Sequence, residues 1–226
     1  MAGKKVIVDL FYDVISPYSW FGFEAVTRHA AAWPAVDVKL RPFFLGQIMA
    51  ESKNKPPGLV RAKSLYMLKD IKRLAGFHGV PLSIPAAFME YIFRVEEQKQ
   101  QMLFLSAVDL VTSGEQTESV SREFFKAIFT EHTEVGKLPF RELAERAGMS
   151  QEDAAKSYSS LKDKEVEERL NKNGTDALSY GAFGAPTLVA HLPTGPEIFF
   201  GSDRIELLAH SLGQKYHGAL LCKNKL

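Results

Sequence analysis

Ser16 and Ser19, three positions apart, are the residues best placed for chemistry in the first part of this chain. Ser16-Pro17-Tyr18-Ser19-Trp20 follows a strand-like run, Val6 to Asp13, and opens a helix-like run, Phe21 to Ala32. A strand that feeds a helix directly presents the unpaired N–H groups and the positive end of the helix dipole to whatever lies beyond it. Ser16 puts a hydroxyl at that end, and Pro17 suits the first helical position. A hydroxyl on a helix N-terminus suits an anion supplied by another molecule. The plainer alternative is that Ser16 only caps the helix. Ser19, one turn further on, is expected to be structural.

Other chemistries lack their residues. The six histidines (29, 78, 132, 191, 210, 217) show no ligand spacing, and no His-Glu-x-x-His, phosphate loop or dinucleotide fingerprint is present. No metal site is expected. Ser16-Pro17 is not the Gly-x-Ser-x-Gly elbow of a hydrolase. The single cysteine, Cys222, excludes an intramolecular disulfide and a cysteine-based metal cluster, and it stands one position too early for a prenylation box. A reduced compartment is the expectation.

The 226 residues are 46% hydrophobic and 24% charged, the mix of an ordinary globular chain. A net charge of +1 gives no bias toward nucleic acid or an acidic membrane. No apolar run reaches the ~20 residues of a membrane span. Met1-Ala2-Gly3-Lys4-Lys5 leads straight into the first strand, which predicts no signal or transit peptide. Asn224-Lys225-Leu226 resembles the Ser-Lys-Leu peroxisomal address with its first position changed.

The elements that must position Ser16 can be read from periodicity. Strands are expected at 5–12 and 36–44, with a helix over 17–32 between them, a βαβ unit. Ser52 to Gly58 is a turn-rich loop. Helical patterns follow at 61–77, 86–113 (with a break left open), 118–131, 139–147, 150–160 and 163–180. Ser150 to Asp153 reads as a capping box, and Ser160 as a cap for the next helix. Thr187–Leu192 and Glu197–Phe200 read as a hairpin about Pro193 to Pro196, before an amphipathic helix over 203–216. The order βαβ, many helices, ββα predicts an α/β protein. It is a thioredoxin-like domain (1–50 and 181–226) interrupted by an all-helical insertion (51–180), a DsbA-like arrangement. In that fold the strand-to-helix turn holds a reactive Cys-x-x-Cys. Here the same spacing holds Ser16 and Ser19, so thiol–disulfide exchange at this site is excluded.

Four blocks carry a resemblance to a known family. They are Phe11 to Trp20, Asn54-Lys55-Pro56-Pro57-Gly58, Tyr180 to Thr187, and Phe200-Gly201-Ser202-Asp203-Arg204. In order and spacing the chain resembles the kappa-class glutathione transferases, a family that also contains 2-hydroxychromene-2-carboxylate isomerases. The resemblance implies glutathione as co-substrate, with Ser16 the catalytic residue that holds its thiolate. A free thiol has a pKa of about 8.5. A hydroxyl donor and the helix dipole both favour the charged form, each pKa unit being worth ~1.4 kcal/mol.

The resemblance also implies the remaining contacts. Pro17 and Tyr18 accompany Ser16. Ala185-Pro186 would hold a cis peptide facing the active helix, leaving the Ala185 backbone to pair in β fashion with the cysteinyl residue of glutathione; the alternative is a trans proline at a strand start. Ser202 and Asp203 would take the γ-glutamyl carboxylate and ammonium, with Arg204 adding charge, although Asp203 to Glu206 also reads as a capping box. Asn54, at the glycyl end of glutathione, and Lys63 match contact positions, as does Asp70, reaching across a dimer; by its loop alone Asn54 reads as a turn asparagine. Tyr18, Trp20, Tyr66 and Met67 are candidate linings of an apolar second-substrate pocket, and each fits a place in the core equally well.

The expected function is therefore conjugation of glutathione to small hydrophobic electrophiles, with hydroperoxide reduction a further reaction of the same thiolate. A glutathione-dependent isomerase and a non-catalytic glutathione- or partner-binding module are the alternatives. The resemblance implies a homodimer in the mitochondrial matrix or the peroxisome.

Overall fold

The computed structural model describes residues 5–220. Cys222 and Asn224-Lys225-Leu226 lie outside the described residues.

β1 (Val6–Tyr12) is an inner strand of a four-stranded sheet ordered β2-β1-β3-β4. It pairs in parallel with β2 (Val36–Pro42) and antiparallel with β3 (Thr187–Leu192), with Leu10 opposite both Leu40 and Leu188. Val8 to Tyr12 are buried without alternation, as expected of a strand covered on both faces. β3 turns through Pro193-Thr194 into β4 (Gly195–Phe200), closing the expected hairpin. β2 stops at Pro42, two residues short of expectation, because proline has no N–H for the ladder.

α1 (Pro17–Ala30) runs from the end of β1, with twelve of its residues buried. It is held on one side by the sheet and on the other by the helical layer. That layer comprises α3 (Arg61–His78), α4 (Phe88–Tyr91), α5 (Val95–Val111), α6 (Thr117–Phe129), α7 (Phe140–Arg146), α8 (Gln151–Ser159) and α9 (Lys164–Ser179), which follow a short α2 (Leu45–Glu51). α2 has no counterpart in the periodicity. The 86–113 pattern divides between Tyr91 and Val95. Ser150 accepts from the Asp153 N–H as a cap should, at 3.1 Å. Ser160 instead donates to the Ser157 carbonyl, and Asp163 stands at the start of α9. A single-turn segment, Ser202–Arg204, precedes α10 (Ile205–Ser211).

One cluster of buried side chains runs through both layers, from Val8 and Leu188 in the sheet to Phe125 and Leu143 among the helices. Trp20 stacks on Phe125 with ring centroids 5.7 Å apart and planes 2° from parallel. Tyr12 shares a 2.6 Å hydrogen bond with Ser121 across the same seam. A buried charge group reinforces it. Glu24, fully buried, takes Arg122 Nε at 2.7 Å and Arg28 Nε at 3.4 Å. No described helix is long and apolar enough to cross a membrane.

Candidate active site

β1 ends in a turn, Asp13 to Ser16, that delivers Ser16 to the N-cap of α1. The Ser16 N–H donates to the Asp13 carbonyl at 3.1 Å. Ser16 has extended backbone angles, and its Oγ accepts from the Ser19 N–H at 3.2 Å. Capping is therefore real. It uses one lone pair and leaves the hydroxyl proton free to turn, with only a 3.5 Å contact to the Ala185 carbonyl in its path. Ser19 is fully buried, and its own hydroxyl has no hydrogen-bond partner among the described residues.

The peptide between Ala185 and Pro186 is cis. The Pro186 ring lies against α1 at Gly22, and its carbonyl accepts from the Gly201 N–H at 3.0 Å. Two chain-distant loops thus meet over the start of α1. Asn54 joins a third, donating from Nδ2 to the Phe183 carbonyl at 2.7 Å and accepting the Lys55 N–H on Oδ1. Phe183 and Phe200 pack ring to ring at 4.3 Å on this rim. A Cβ at Gly184 would sit 3.0 Å from the Phe200 ring, a tight contact that the ring would have to move to accommodate.

These loops enclose a cavity of about 650 Å3. Ser16, Pro17, Tyr18, Asn54, Lys63, Ala185, Ser202 and Asp203 all line it, as do Tyr66, Met67 and Asp70. Pro186 stands behind the lining. Arg204 faces a separate groove along β4, with its guanidinium 3.2 Å from the Asp203 carboxylate. Trp20 is not a lining residue: it points the other way into the core, because a helix buried on nearly every face gives no period from which to choose its pocket side. The expected capping box from Asp203 does not form; the cap position of α10 is Arg204, with no side-chain cap bond.

The same lining includes an apolar arm made of Phe44, Leu45, Met49, Leu74, Phe88, Ile92 and Val95. None of these was singled out from the sequence. α2 supplies Leu45 and Met49, and its apolar residues Leu45, Ile48 and Met49 fall in a seven-residue helix with Gly46 second, too short to show a period. At the junction Tyr18 and Tyr66 both donate to Asp70, at 3.1 and 3.2 Å. Burial first, then the Asp70 carboxylate, push the Tyr18 phenol up, so it stays protonated as a donor.

The other unanticipated residue is Asp13. It is completely buried, and its carboxylate accepts from the Ile15 N–H at 3.0 Å and the Leu45 N–H at 2.9 Å. Burial pushes its carboxyl up to about 7, against the two donors that pull it down. The Asp-x-x-Ser spacing before the helix was the available signal. Among the described residues no group of three or more His, Cys, Asp or Glu side chains is placed to hold a metal ion.

A serine on the helix start beside a cis-proline loop is the geometry of a thioredoxin-like site, and comparison with known proteins agrees. Residues 7–213 match the DSBA-like thioredoxin domain. The human protein glutathione S-transferase kappa 1 is 39% identical over 214 residues, which is 94% of this chain and 93% of that one. This chain belongs to the kappa class of glutathione S-transferases. A kappa 1 relative from Caenorhabditis elegans is 33% identical over 92% of this kappa-class chain and 91% of its own. In fold, the kappa-class chain also superposes on a solved 2-hydroxychromene-2-carboxylate isomerase with a TM-score of 0.72, at 20% identity, covering 92% of this chain and 94% of that one.

Proposed function

We propose that this protein binds glutathione with the thiol on Ser16 and transfers the thiolate to a small hydrophobic electrophile. The observation that carries this is the placement of the Ser16 hydroxyl at the N-terminus of α1, in the lining of the cavity and beside the Ala185 backbone. The hydroxyl donates to the sulfur, the helix dipole adds its field, and together they lower the thiol pKa. The Ala185 backbone pairs with the cysteinyl residue. Ser202 and Asp203 take the γ-glutamyl carboxylate and ammonium. Lys63 and Asn54 take the glycyl end.

In conjugation the sulfur pair forms a C–S bond to the electrophilic carbon, and the leaving group departs with its bonding pair or the adduct takes up a proton. With a hydroperoxide the thiolate attacks the outer oxygen and releases the alcohol. A second glutathione then condenses with the sulfenic acid to give the disulfide and water. The apolar arm beside Ser16 supports an apolar second substrate. Most of the rate would come from thiolate stabilisation and from placement of the two reactants.

A second reading, glutathione-dependent isomerisation, takes support from a 2-hydroxychromene-2-carboxylate isomerase of Pseudomonas putida that is 22% identical to this chain. The two differ in glutathione balance, since an isomerase consumes none. The proposal extends to a homodimer. Leu65, Leu68 and Phe77 stand exposed along α3, as do Ile198, Phe200 and Leu207 near β4, and a second copy is the proposed cover. Residence in mitochondria or peroxisomes rests on the family resemblance and is tested by fractionation.

The deciding experiment is an absorbance titration of the thiolate of bound glutathione in the wild type and in Ser16→Ala. A depressed thiol pKa that the variant loses supports the mechanism. Equal values in the two proteins overturn it.

A further inference from the structure

Ser16 is set by a residue that does not touch the cavity chemistry. Three main-chain N–H groups converge on Asp13. Ile15 and Leu45 donate to its two carboxylate oxygens at 3.0 and 2.9 Å, and Ser16 donates to its carbonyl at 3.1 Å. The Ile15 and Ser16 bonds shape the turn from β1 into α1. The Leu45 bond crosses to the first residue of α2, thirty-two positions away. Ile15 and Ser16 stand on one wall of the cavity, and Phe44, Leu45 and Met49 on another.

We infer that Asp13 is a positioning residue for the thiolate site: its carboxylate staples the Ser16 turn to α2, and so sets both the aim of the Ser16 hydroxyl and its distance from the apolar arm. The inference rests on the reading that Ser16 anchors the thiolate. The aspartate side chain suits the task because it has two acceptor oxygens, one for each donor: Oδ1 takes Ile15 and Oδ2 takes Leu45. Asparagine has one acceptor oxygen and would turn an NH2 group toward the second donor. Alanine would leave both N–H groups buried and unpaired.

The staple can also be cut from the other end. Leu45 is the first residue of α2, a position where proline is tolerated, and Phe44 before it is already extended, with φ −88° and ψ 108°. Leu45→Pro deletes the N–H while keeping the helix start, and Leu45→Ala controls for the shortened side chain.

The test measures the thiol pKa of bound glutathione and the pH–kcat profile in the wild type, Ser16→Ala, Asp13→Asn, Leu45→Pro and Leu45→Ala, with folding checked by circular dichroism. The expected result is a bound-thiol pKa about one unit higher in Asp13→Asn and in Leu45→Pro than in their references. That corresponds to a roughly tenfold lower kcat below the thiol pKa, with the KM for glutathione changed less than about threefold. Should Asp13→Asn fail to fold, Leu45→Pro against Leu45→Ala decides. A thiol pKa and pH profile unchanged in both staple variants, while Ser16→Ala loses the depression, overturns the Asp13 assignment alone. An unchanged pKa in Ser16→Ala overturns the Ser16 reading beneath it.

Discussion

Gly22 of α1 lies against Pro186 so closely that a Cβ at position 22 would sit 2.8 Å from the proline Cγ. No real Cβ tolerates that separation, so the active helix and the loop carrying Ala185 are in contact with nothing to spare. Gly22→Ala must push the two apart. The expected cost is ~1–3 kcal/mol of stability, the usual scale for overpacking. The expected loss of kcat exceeds that of Ser19→Ala, because the displaced loop is the one that faces Ser16. Urea denaturation and turnover on one chromogenic electrophile check both parts. Unaltered turnover would show that the loop's spacing from α1 is not part of the site.

Ser19→Ala should be close to neutral. The hydroxyl is buried and has no hydrogen-bond partner among the described residues, so removing it abolishes no bond seen there and relieves one unsatisfied group. Stability within ~0.5 kcal/mol of the wild type or slightly above it is expected, with the thiol pKa unchanged. A rise in thiol pKa would give Ser19 the chemical role denied to it here.

The apolar arm should govern the electrophile and leave glutathione alone. Ile92→Trp fills the arm between α4 and α5. A bulky aromatic electrophile should lose about tenfold or more in kcat/KM, on the scale by which pockets discriminate small changes in apolar volume. The KM for glutathione should hold. Equal losses for large and small electrophiles would place the second substrate elsewhere.

Asp13 gives a pH dependence whose sign is unusual for a carboxylate. Burial raises its folded value to about 7 from the ordinary 3.8. The folded state therefore holds the proton more tightly than the unfolded one, so this group favours folding fully below pH ~3.8 and loses that contribution as pH rises through about 7. At ~1.4 kcal/mol per unit the loss is on the order of 4 kcal/mol. Urea unfolding at pH 5 and pH 8 should show wild type losing stability relative to Asp13→Asn at the higher pH. Parallel behaviour of the two proteins would mean that Asp13 is ionised throughout.

Glu24→Ala should be among the most damaging single changes outside the site. It removes the fully buried carboxylate that Arg122 and Arg28 share, leaving Arg122 to Glu118 and Arg28 to the His78 carbonyl. Losing one partner of a buried ion group costs ~3–5 kcal/mol. A melting temperature within a few degrees of wild type would contradict the geometry.

Where the chain announces its own punctuation, the sequence was sufficient. The hairpin of β3 and β4 follows from Pro193 to Pro196, and the α8 start from Ser150. The Ser16 turn is legible for the same reason, since Ser-Pro after a buried strand is a local signal. What was not legible depends on contacts between distant segments. α2 is seven residues with a glycine second, too short and too weak a helix to show a period. The pocket and core readings of Trp20 stay level in the sequence because α1 is buried on almost every face, so nothing local distinguishes the side toward Phe125 from the side toward the cavity. Asp13 reads only as the end of the first strand-like run until Leu45 arrives from thirty-two residues away. The grooves on either side of Asp203 divide Arg204 from Ser202, a matter of side-chain direction that no spacing encodes.

The buried cluster that joins the sheet to the helices has a consequence for how the molecule melts. A helical segment with a separate interior would unfold on its own and leave the strands standing. Here Trp20 on Phe125 and Tyr12 on Ser121 make each half the other's interior, so heat capacity should show one cooperative peak. Glutathione held at Ser16 would then raise the melting temperature of helices remote from it as much as that of the strands beside it.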